Sequence, residues 1–426
     1  MASEQGAVGG ADKERAFQAA LLLGRLRAAG VTSAETSGPV AAAAATAAAR
    51  IGRRVIRVHG VDRSADVLVL GWDGETAPAA GNLAPGWRIG LSPVPSLVWA
   101  ACLRAAWPRP ERAPFLGRPF RRADVVALCS QLGADREAVK QAVERTLPEA
   151  GLIAVDGGEL RLGAAVAALP AVVVEGLRRG HHLLPAPRTD VQADEGPASV
   201  APPYEVPSDA DPADEMSDGY GMRSAIATLE TARRPVPRGE LPVLADPAMR
   251  AAVEQALLPC GRQLLQTGDG NWVTGFCDPL ADALVAEGVG TLAAVDRAVL
   301  ALVLLHTVAI PRAQGRHRHS RWTGEAHTVT LAELASNRRI SKAAMRTALR
   351  RLRAAGMVAE TTTGRYLPGP ALDRMSEARS NLLWEDLILV GRPDGQLAAA
   401  IRRRRGLDVP APPGELPDEP TETDRR

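Results

Sequence analysis

The chain has 426 residues, of which 46% are hydrophobic, so it can bury several cores, and its length predicts about two to four small domains. Aromatic residues make up only 3%, which argues against binding single-stranded nucleic acid by base stacking. The net charge is +2, and arginine supplies nearly all of the 51 cations, a bias typical of GC-rich bacterial genomes. No apolar run is long enough to span a bilayer, and the start MASEQGAVGG lacks the features of a signal peptide. We therefore expect a cytoplasmic protein without membrane contact.

Motifs of the common enzyme classes are missing from the sequence. It contains no GxxxxGK[ST], GxSxG or HExxH, and no GxGxxG that follows a strand. The four cysteines include no CxxC pair, so we interpret them as core thiols. His317 and His319 could contribute to a zinc site, but no third ligand lies nearby in the sequence. We expect no enzyme activity, no cofactor and no bound metal.

Residues 1–92 predict a small α+β unit. Residues 11–29 and 38–51 have the composition of helices, and the second is mostly alanine. The apolar alternation in RRVIRVHGV, DVLVLGWDG and GWRIGLSP predicts three strands. The unit has no glycine-rich phosphate loop, no acid–base pair and no nucleophile, so it suggests no function of its own.

Residues 93–182, which we name module 1, predict three helices followed by a β-hairpin. Residues 96–107 and 123–132 predict the first two helices, and a third begins after Ala134 with an apolar stripe. The stretch GLIAVDGGELRLG then predicts a hairpin that turns at its central glycines. The outer face of the third helix carries both signs of charge, so a protein-docking role is a better expectation for it than DNA contact.

Residues 183–219 differ sharply in composition from the segments on both sides. They contain nine acids against one arginine and are rich in proline and small residues. Such a segment buries too little apolar area to build a core, and its like charges repel one another. We predict a disordered linker here and a second disordered segment in the tail, residues 401–426.

Residues 220–290, module 2, predict a weaker copy of the order found in module 1. MRSAIATLETARR predicts a helix, and Asp246 followed by Pro247 predicts the cap and first turn of a second helix. LLQTGDGNWVTGF predicts a hairpin with its turn at GDGN. The outer side of the second helix carries Arg250 and Glu254 and lacks a row of cations. We therefore expect a structural or dimerising role for module 2.

Residues 291–400, module 3, contain the clearest pattern in the chain. A helix is predicted at residues 292–310, and Thr330 and Ser341 are suitable N-caps for a short helix and for a longer, basic one. Gly356 predicts the end of the basic helix, and Gly364 predicts the turn of a two-stranded hairpin. Four apolar residues at helical spacing give the basic helix a buried face, namely Met345, Ala348, Leu349 and Leu352.

Cations are predicted on the opposite side of this basic helix. Lys342, Arg346, Arg350 and Arg353 follow one another at spacings of four, four and three residues, so they project together. From residue 296 to residue 370, twelve arginines and one lysine stand against four acids, which gives 13 − 4 = +9. So large a local excess in a chain of net charge +2 is typical of a module that binds phosphate.

The helix, tight turn, basic helix and two-stranded wing of module 3 resemble the winged helix-turn-helix superfamily, without matching a specific family within it. The resemblance implies that the basic helix enters the major groove of DNA and that the wing touches phosphate. Extended to modules 1 and 2, it implies a mainly α fold with small β wings, made of two or three winged-helix modules plus the N-terminal α+β unit. The residues it assigns to DNA contact are Arg316, Arg318, Arg338, Arg339, Lys342, Arg346, Arg350, Arg353 and Arg365.

Two functions of different class remain open. In the first, the protein is a DNA-binding regulator, or an accessory factor in replication or defence, that holds double-stranded DNA with module 3. In the second, modules 1 and 2 bind a protein partner, in a way similar to kleisin-like subunits of chromosome-organising or defence ATPase complexes. The row of cations favours the first function, whereas the outer helices of modules 1 and 2 favour the second.

Residues 382–389, after the predicted wing, form an apolar stretch that predicts one more helix. It is too apolar to be fully exposed, so it either packs back onto module 3 or pairs with a second copy of the chain. A homodimer would match the two half-sites that such DNA readers commonly use.

Overall fold

The computed structural model describes residues 2–58, 66–72, 91–111, 114–115, 117–149, 151–156, 158–167, 169, 171–186, 204–205, 218–232, 234–314, 322, 327–336 and 339–407. The chain divides into two compact units, which we call unit 1 (Met1–Ala293 with Pro370–Ser376) and unit 2 (Ala294–Gly369 with Glu377–Arg426). Both are mainly helical and carry small antiparallel sheets, so the predicted fold class is confirmed at this level.

The N-terminal part of unit 1 combines two helices with one antiparallel sheet. Its elements are α1 (Ala2–Ala29), β1 (Val31–Ser33), α2 (Gly38–Arg50), β2 (Arg53–Val58), β3 (Val67–Trp72) and, from far along the chain, β7 (Tyr204–Glu205). The strand order is β1-β3-β2-β7. Ile56 of β2 lies opposite Val69 of β3 on one side and Glu205 on the other, so β2 is a central strand over this short stretch.

Strand β7 lies within the segment that the composition predicts to be a disordered linker. Its two residues pair with Arg57 and Ile56 of β2. Without this pairing, β2 would be an edge strand with unpaired backbone N–H and C=O groups along its outer side. The next helix begins at Asp218, also inside the predicted linker. Of the predicted linker, residues 187–203 and 206–217 lie outside the described residues, as does most of the predicted strand GWRIGLSP.

Two hydrophobic cores join the N-terminal part to modules 1 and 2. The alanine-rich helix α2 has short side chains that allow close packing against α1, and this core continues to Ile226 and Leu257 of module 2. The second core contains Ile56 and Val69 of the sheet together with Trp107 of module 1. Residues 1–92 therefore share their cores with the two modules that follow.

Module 1 has the order helix, strand, two helices and two strands, and its sheet order is β4-β6-β5. The third helix continues from α5 to α6 through a π-helical turn, Ala142–Thr146. The predicted apolar stripe from Val139 to Leu147 is buried. The elements are α3 (Pro93–Ala106), β4 (Phe120–Arg121), α4 (Arg122–Gln131), α5 (Arg136–Gln141), α6 (Leu147–Glu149), β5 (Ile153–Asp156), β6 (Glu159–Leu162), α7 (Ala164–Ala167) and α8 (Ala171–Arg179).

Module 2 repeats this order with two elements replaced. Its elements are α9 (Asp218–Thr231), α10 (Pro247–Leu257), β8 (Arg262–Gln266), β9 (Trp272–Phe276) and α11 (Asp278–Ala286). Val236 bridges to Trp272 and so takes the position of the first strand, while two 3-10 turns replace the second helix. Asp246 caps α10 by accepting a hydrogen bond from the Ala248 amide at 2.9 Å, as predicted.

Module 3 forms the first part of unit 2 in the same order. Its elements are α12 (Ala294–Leu304), a π-helical turn (Leu305–Ala309), α13 (Ile310–Ala313), α14 (Leu331–Ala335), α15 (Lys342–Ala354), β10 (Val358–Glu360) and β11 (Tyr366–Pro368). Val329 bridges to Tyr366 of β11, which itself pairs with β10. In all three modules, the first extended residue or strand therefore pairs with the last strand of the hairpin.

The segment Pro370–Ser376 interrupts the range predicted for module 3, because it packs on unit 1. Arg374 donates hydrogen bonds to the carbonyl of Thr274, at 3.0 Å, and to that of Ala232. Ser376 Oγ donates to Asp278 Oδ2 at 2.8 Å. These bonds explain why the chain returns to unit 1 before its last two helices.

The last two helices, α16 (Glu377–Gly391) and α17 (Gln396–Arg405), belong to unit 2. Helix α16 packs on its own unit, since Leu387 is buried and the Trp384 ring lies edge-on to Trp322 with centroids 6.4 Å apart. Helix α17 extends into the predicted disordered tail, because Ile401 is buried and Arg405 binds Glu385 at 2.8 Å. The homodimer stays a prediction.

Among the described residues, one helical stretch, Ala294–Arg312, is long and apolar enough to cross a membrane. The same stretch is the first helix of module 3. Its Val299 and Val303 are buried in unit 2, and its Asp296 is buried as well. Packing within the module accounts for the apolar residues on the buried side of this helix, whereas Val295 and Ile310 are exposed.

Candidate nucleic-acid interface

Helices α14 and α15 each begin at a capping residue. Thr330 Oγ1 accepts a hydrogen bond from the Glu333 amide at 3.2 Å, and the Glu333 carboxylate accepts one from the Thr330 amide at 2.6 Å, a capping box. Ser341 Oγ accepts a hydrogen bond from the Ala344 amide at 3.2 Å and starts α15. Both predicted N-caps are confirmed.

One face of α15 is buried and anchors the helix to α12. Met345, Ala348, Leu349 and Leu352 are all buried, as predicted. Arg351 adds an ionic anchor, because its Nε and Nη2 donate to Asp296 Oδ1 at 3.2 and 2.7 Å. Its partner Asp296 is almost fully buried.

The hairpin after α15 is held against the end of that helix. Gly356 has φ of 71°, a left-handed conformation that ends the helix at low cost, and the Met357 amide then binds the Leu352 carbonyl at 2.9 Å. At the tip of the hairpin, Gly364 has φ of 72° and its amide binds the Thr361 carbonyl. Both predicted glycine positions are confirmed, so the wing is placed beside α15.

Two cations of α15 lie on the side that faces the wing. Arg353 forms an ion pair with Glu360 of β10. Burial, and next the charge of Glu360, raise the pKa of the Tyr366 hydroxyl, while Arg353 and Arg346 oppose this rise. Tyr366 and Glu360 therefore share their surroundings with these two arginines.

Arg365, which the resemblance assigns to phosphate contact by the wing, is bound within the module. Its Nε donates to Thr328 Oγ1 at 2.6 Å and its Nη2 to the Thr328 carbonyl at 3.0 Å. The carboxylate of Glu333 lies 3.7 Å from Nη2. Hydrogen bonds from Thr330 hold the pKa of Glu333 below its usual range, so this carboxylate is charged at neutral pH. Arg365 thus ties the wing to the start of α14.

The predicted DNA-contacting residues fall into three groups. Arg316, Arg318 and Arg338 lie outside the described residues. Arg339, Lys342, Arg346 and Arg350 are exposed around and along α15, and the last three form no ion pair within the described part of the chain. Arg353 and Arg365 are engaged by Glu360 and Thr328. The remaining arginine of α15, Arg351, serves as an anchor that the spacing of the cations did not reveal.

The helices equivalent to α15 in modules 1 and 2 have no net charge. Helix α15 carries five cations and no acid, whereas residues 136–149 of module 1 carry three cations and three acids, and α10 carries one of each. In module 1, Glu144 also pairs with Arg122, and in module 2 Arg250 folds back to the Leu244 carbonyl at 3.3 Å. Within the described residues, α15 is the basic member of the three.

The geometry of module 3 thus combines an exposed basic helix with a hairpin fixed at its side. Comparison of the chain with protein-family models, with curated proteins and with solved structures finds no match.

Proposed function

We propose that this protein binds double-stranded DNA through helix α15 of module 3. The observation that carries the proposal is the charge of this helix, five cations and no acid, with Lys342, Arg346 and Arg350 exposed. Cations on an exposed helix attract the phosphates that line the DNA grooves. An α-helix with its side chains is about 10–12 Å across, so it fits a major groove about 12 Å wide.

The shared element order of the three modules supports a winged-helix architecture. In each, a helix, an extended segment and one or two helices precede a hairpin, and the first extended segment pairs with the last strand. That is the arrangement the resemblance implies, with α15 as the reading helix of module 3 and β10–β11 as its wing. A role as a regulator, or as a cytoplasmic accessory factor in replication or defence, is consistent with it.

Modules 1 and 2 suit a second role, contact with a protein partner. Their equivalent helices have equal numbers of cations and acids, so they offer no excess charge to phosphate. In this alternative the protein is an interaction subunit, similar to kleisin-like subunits, and module 3 brings the assembly to DNA. The alternative predicts that unit 1 alone retains the partner.

The test of DNA binding is a paired charge reversal on two equivalent helices. Arg346→Glu with Arg350→Glu reverses two exposed residues of α15 that lie four positions apart. Arg136→Glu with Lys140→Glu makes the same change in net charge on α5, where both residues are also exposed and four positions apart. Binding of each full-length variant to a labelled duplex is measured across a salt titration, with thermal unfolding as the check on folding.

We expect the α15 variant to lose duplex binding and the α5 variant to bind as the wild type does. Equal loss in both variants would mean that overall charge, and not α15, causes binding. Unchanged binding by the α15 variant would reject the proposal and leave the protein-interaction role.

A further inference from the structure

The burial of α15 determines which of its side chains point away from the module. Successive residues turn by about 100° around a helix axis. Measured from the buried stripe of Met345 to Leu352, the residues within about 30° of the opposite direction are Ala343, Thr347, Arg350 and Ala354. Three of these are exposed and Thr347 is half-buried. These four residues, which we call the outward face, are the ones that would meet the floor of a groove.

The other cations of α15 lie beside this face. Helical rotation puts Lys342, Arg346 and Arg353 on one flank, where Arg353 pairs with Glu360 of the hairpin. Arg351 is on the other side, where Asp296 binds it. Side chains at the flanks of a helix in a groove reach the phosphate walls more readily than the base edges.

Reading base edges requires particular side chains on the outward face. Asparagine and glutamine read adenine, aspartate and glutamate accept from cytosine, and arginine reads guanine. Helix α15 contains no Asn, Gln, Asp or Glu, and its outward face offers Arg350 alone among these types. Alanine can touch only the methyl group of thymine. The hydroxyl of the half-buried Thr347 can form one hydrogen bond, but it binds donors and acceptors alike, so it selects weakly between bases.

We infer that module 3 binds duplex DNA with little sequence selectivity, holding it by phosphate contacts and reading at most one G·C pair through Arg350. This inference rests on the proposed function. The charged flank of Lys342 and Arg346 supplies sequence-independent affinity, which falls steeply with salt. Arg350 supplies a preference of about 10- to 100-fold at one position.

The experiment is a selection by the full-length protein from a pool of duplexes with a randomised centre. We expect the enriched pool to show one preferred G·C pair and no longer motif, and individual duplexes to bind with similar affinity. An enriched motif in which two or more positions each prefer a particular base pair would overturn the inference while leaving DNA binding intact. Binding to no duplex at all would reject the proposed function, and the inference with it.

Two single variants separate the roles of the two arginines. Arg350→Ala should remove the preference for the G·C pair. Arg346→Ala should instead weaken binding to all duplexes alike, and the plot of log affinity against log salt should become less steep by about one unit. Both side chains are exposed, so both variants should unfold at the wild-type temperature. Loss of the preference in Arg346→Ala but not in Arg350→Ala would overturn the assignment.

Discussion

Arg27 Nη2 donates a hydrogen bond of 2.8 Å to Glu230 Oε1, although the two residues are 203 positions apart in the chain. Arg53 Nη1 and Arg262 Nε lie 3.5 and 3.9 Å from the same carboxylate. All four side chains are nearly or fully buried. One carboxylate therefore connects α1, β2 and β8, and it joins the N-terminal part of unit 1 to module 2.

Replacing Glu230 by glutamine should strongly destabilise unit 1. The change removes the only negative charge of this buried cluster and leaves its arginines uncompensated, which costs about 3–5 kcal/mol. Urea unfolding measures the loss. Glu287→Gln is the control, since it breaks the partly exposed pair with Arg25 and should cost within about 1 kcal/mol. Equal losses in the two variants would contradict the role given to the buried cluster.

The Glu230 cluster should also contribute to acid unfolding. Burial alone would raise the pKa of the Glu230 carboxyl, but Arg27, Arg53 and Arg262 outweigh it and hold the pKa below 4.5. A lowered pKa in the folded state means that this contribution is complete above about pH 4.5 and is lost as the pH falls through the lowered value. Stability measured from neutral to acid pH should fall less in Glu230→Gln than in the wild type. Parallel profiles would contradict the prediction.

Asp373 should destabilise the protein at neutral pH. Burial, and next the charge of Asp269, raise the pKa of the Asp373 carboxyl from 3.8 to about 6, and its Oδ2 has no hydrogen-bond partner in the described part of the chain. The folded state therefore holds the proton more tightly than the unfolded state, so stability declines as the pH rises from about 4 to about 6.

Asp373→Asn should remove that decline. We expect the variant to be more stable than the wild type by roughly 1–3 kcal/mol at about pH 7.5, with no gain below about pH 4. Asp269→Asn, which removes only the neighbouring charge, should give a smaller gain. A gain that is the same at both pH values would point to a cause other than the charge.

Local features of module 3 could be predicted from the sequence because they depend on residues a few positions apart. The caps at Thr330 and Ser341, the stripe from Met345 to Leu352 and the turn at Gly364 are all of this kind. The side that the cations occupy could be predicted only in part. Helical spacing groups Arg346 with Arg353, but it does not show that Glu360 binds one of them.

Features that depend on distant partners could not be predicted. Arg351 resembles its neighbours in the row of cations, yet it binds Asp296, 55 positions earlier. The pairing of Tyr204 with β2, inside an acidic and proline-rich segment, depends on a strand edge formed by residues 53–58. The shared core of α2 and module 2 likewise depends on how separate segments meet, and periodicity within each segment contains no information about that.

Arg350 and Arg351 should therefore behave differently despite their adjacent positions and equal charge. Arg351→Ala leaves the buried Asp296 without its ionic partner and should cost roughly 1–3 kcal/mol of stability. Arg350→Ala removes an exposed side chain and should change stability by no more than about 0.5 kcal/mol. Chemical unfolding of the two variants makes the comparison. Equal losses would mean that the ion pair does not anchor α15.

Limited proteolysis should cut first within residues 187–203 and 206–217, where proline, small residues and acids predominate, on either side of strand β7. The fragments should nevertheless stay together, because the core of α1 and α2 continues into α9 and α10, and because Arg27 and Arg53 bind Glu230. Size-exclusion chromatography of the nicked protein should show one species that separates only in denaturant.

The nicked Glu230→Gln variant should separate at a lower denaturant concentration than the nicked wild type. Separation of the wild-type fragments in native buffer would contradict the shared core, and resistance of the segment to cleavage would contradict its interpretation as a linker.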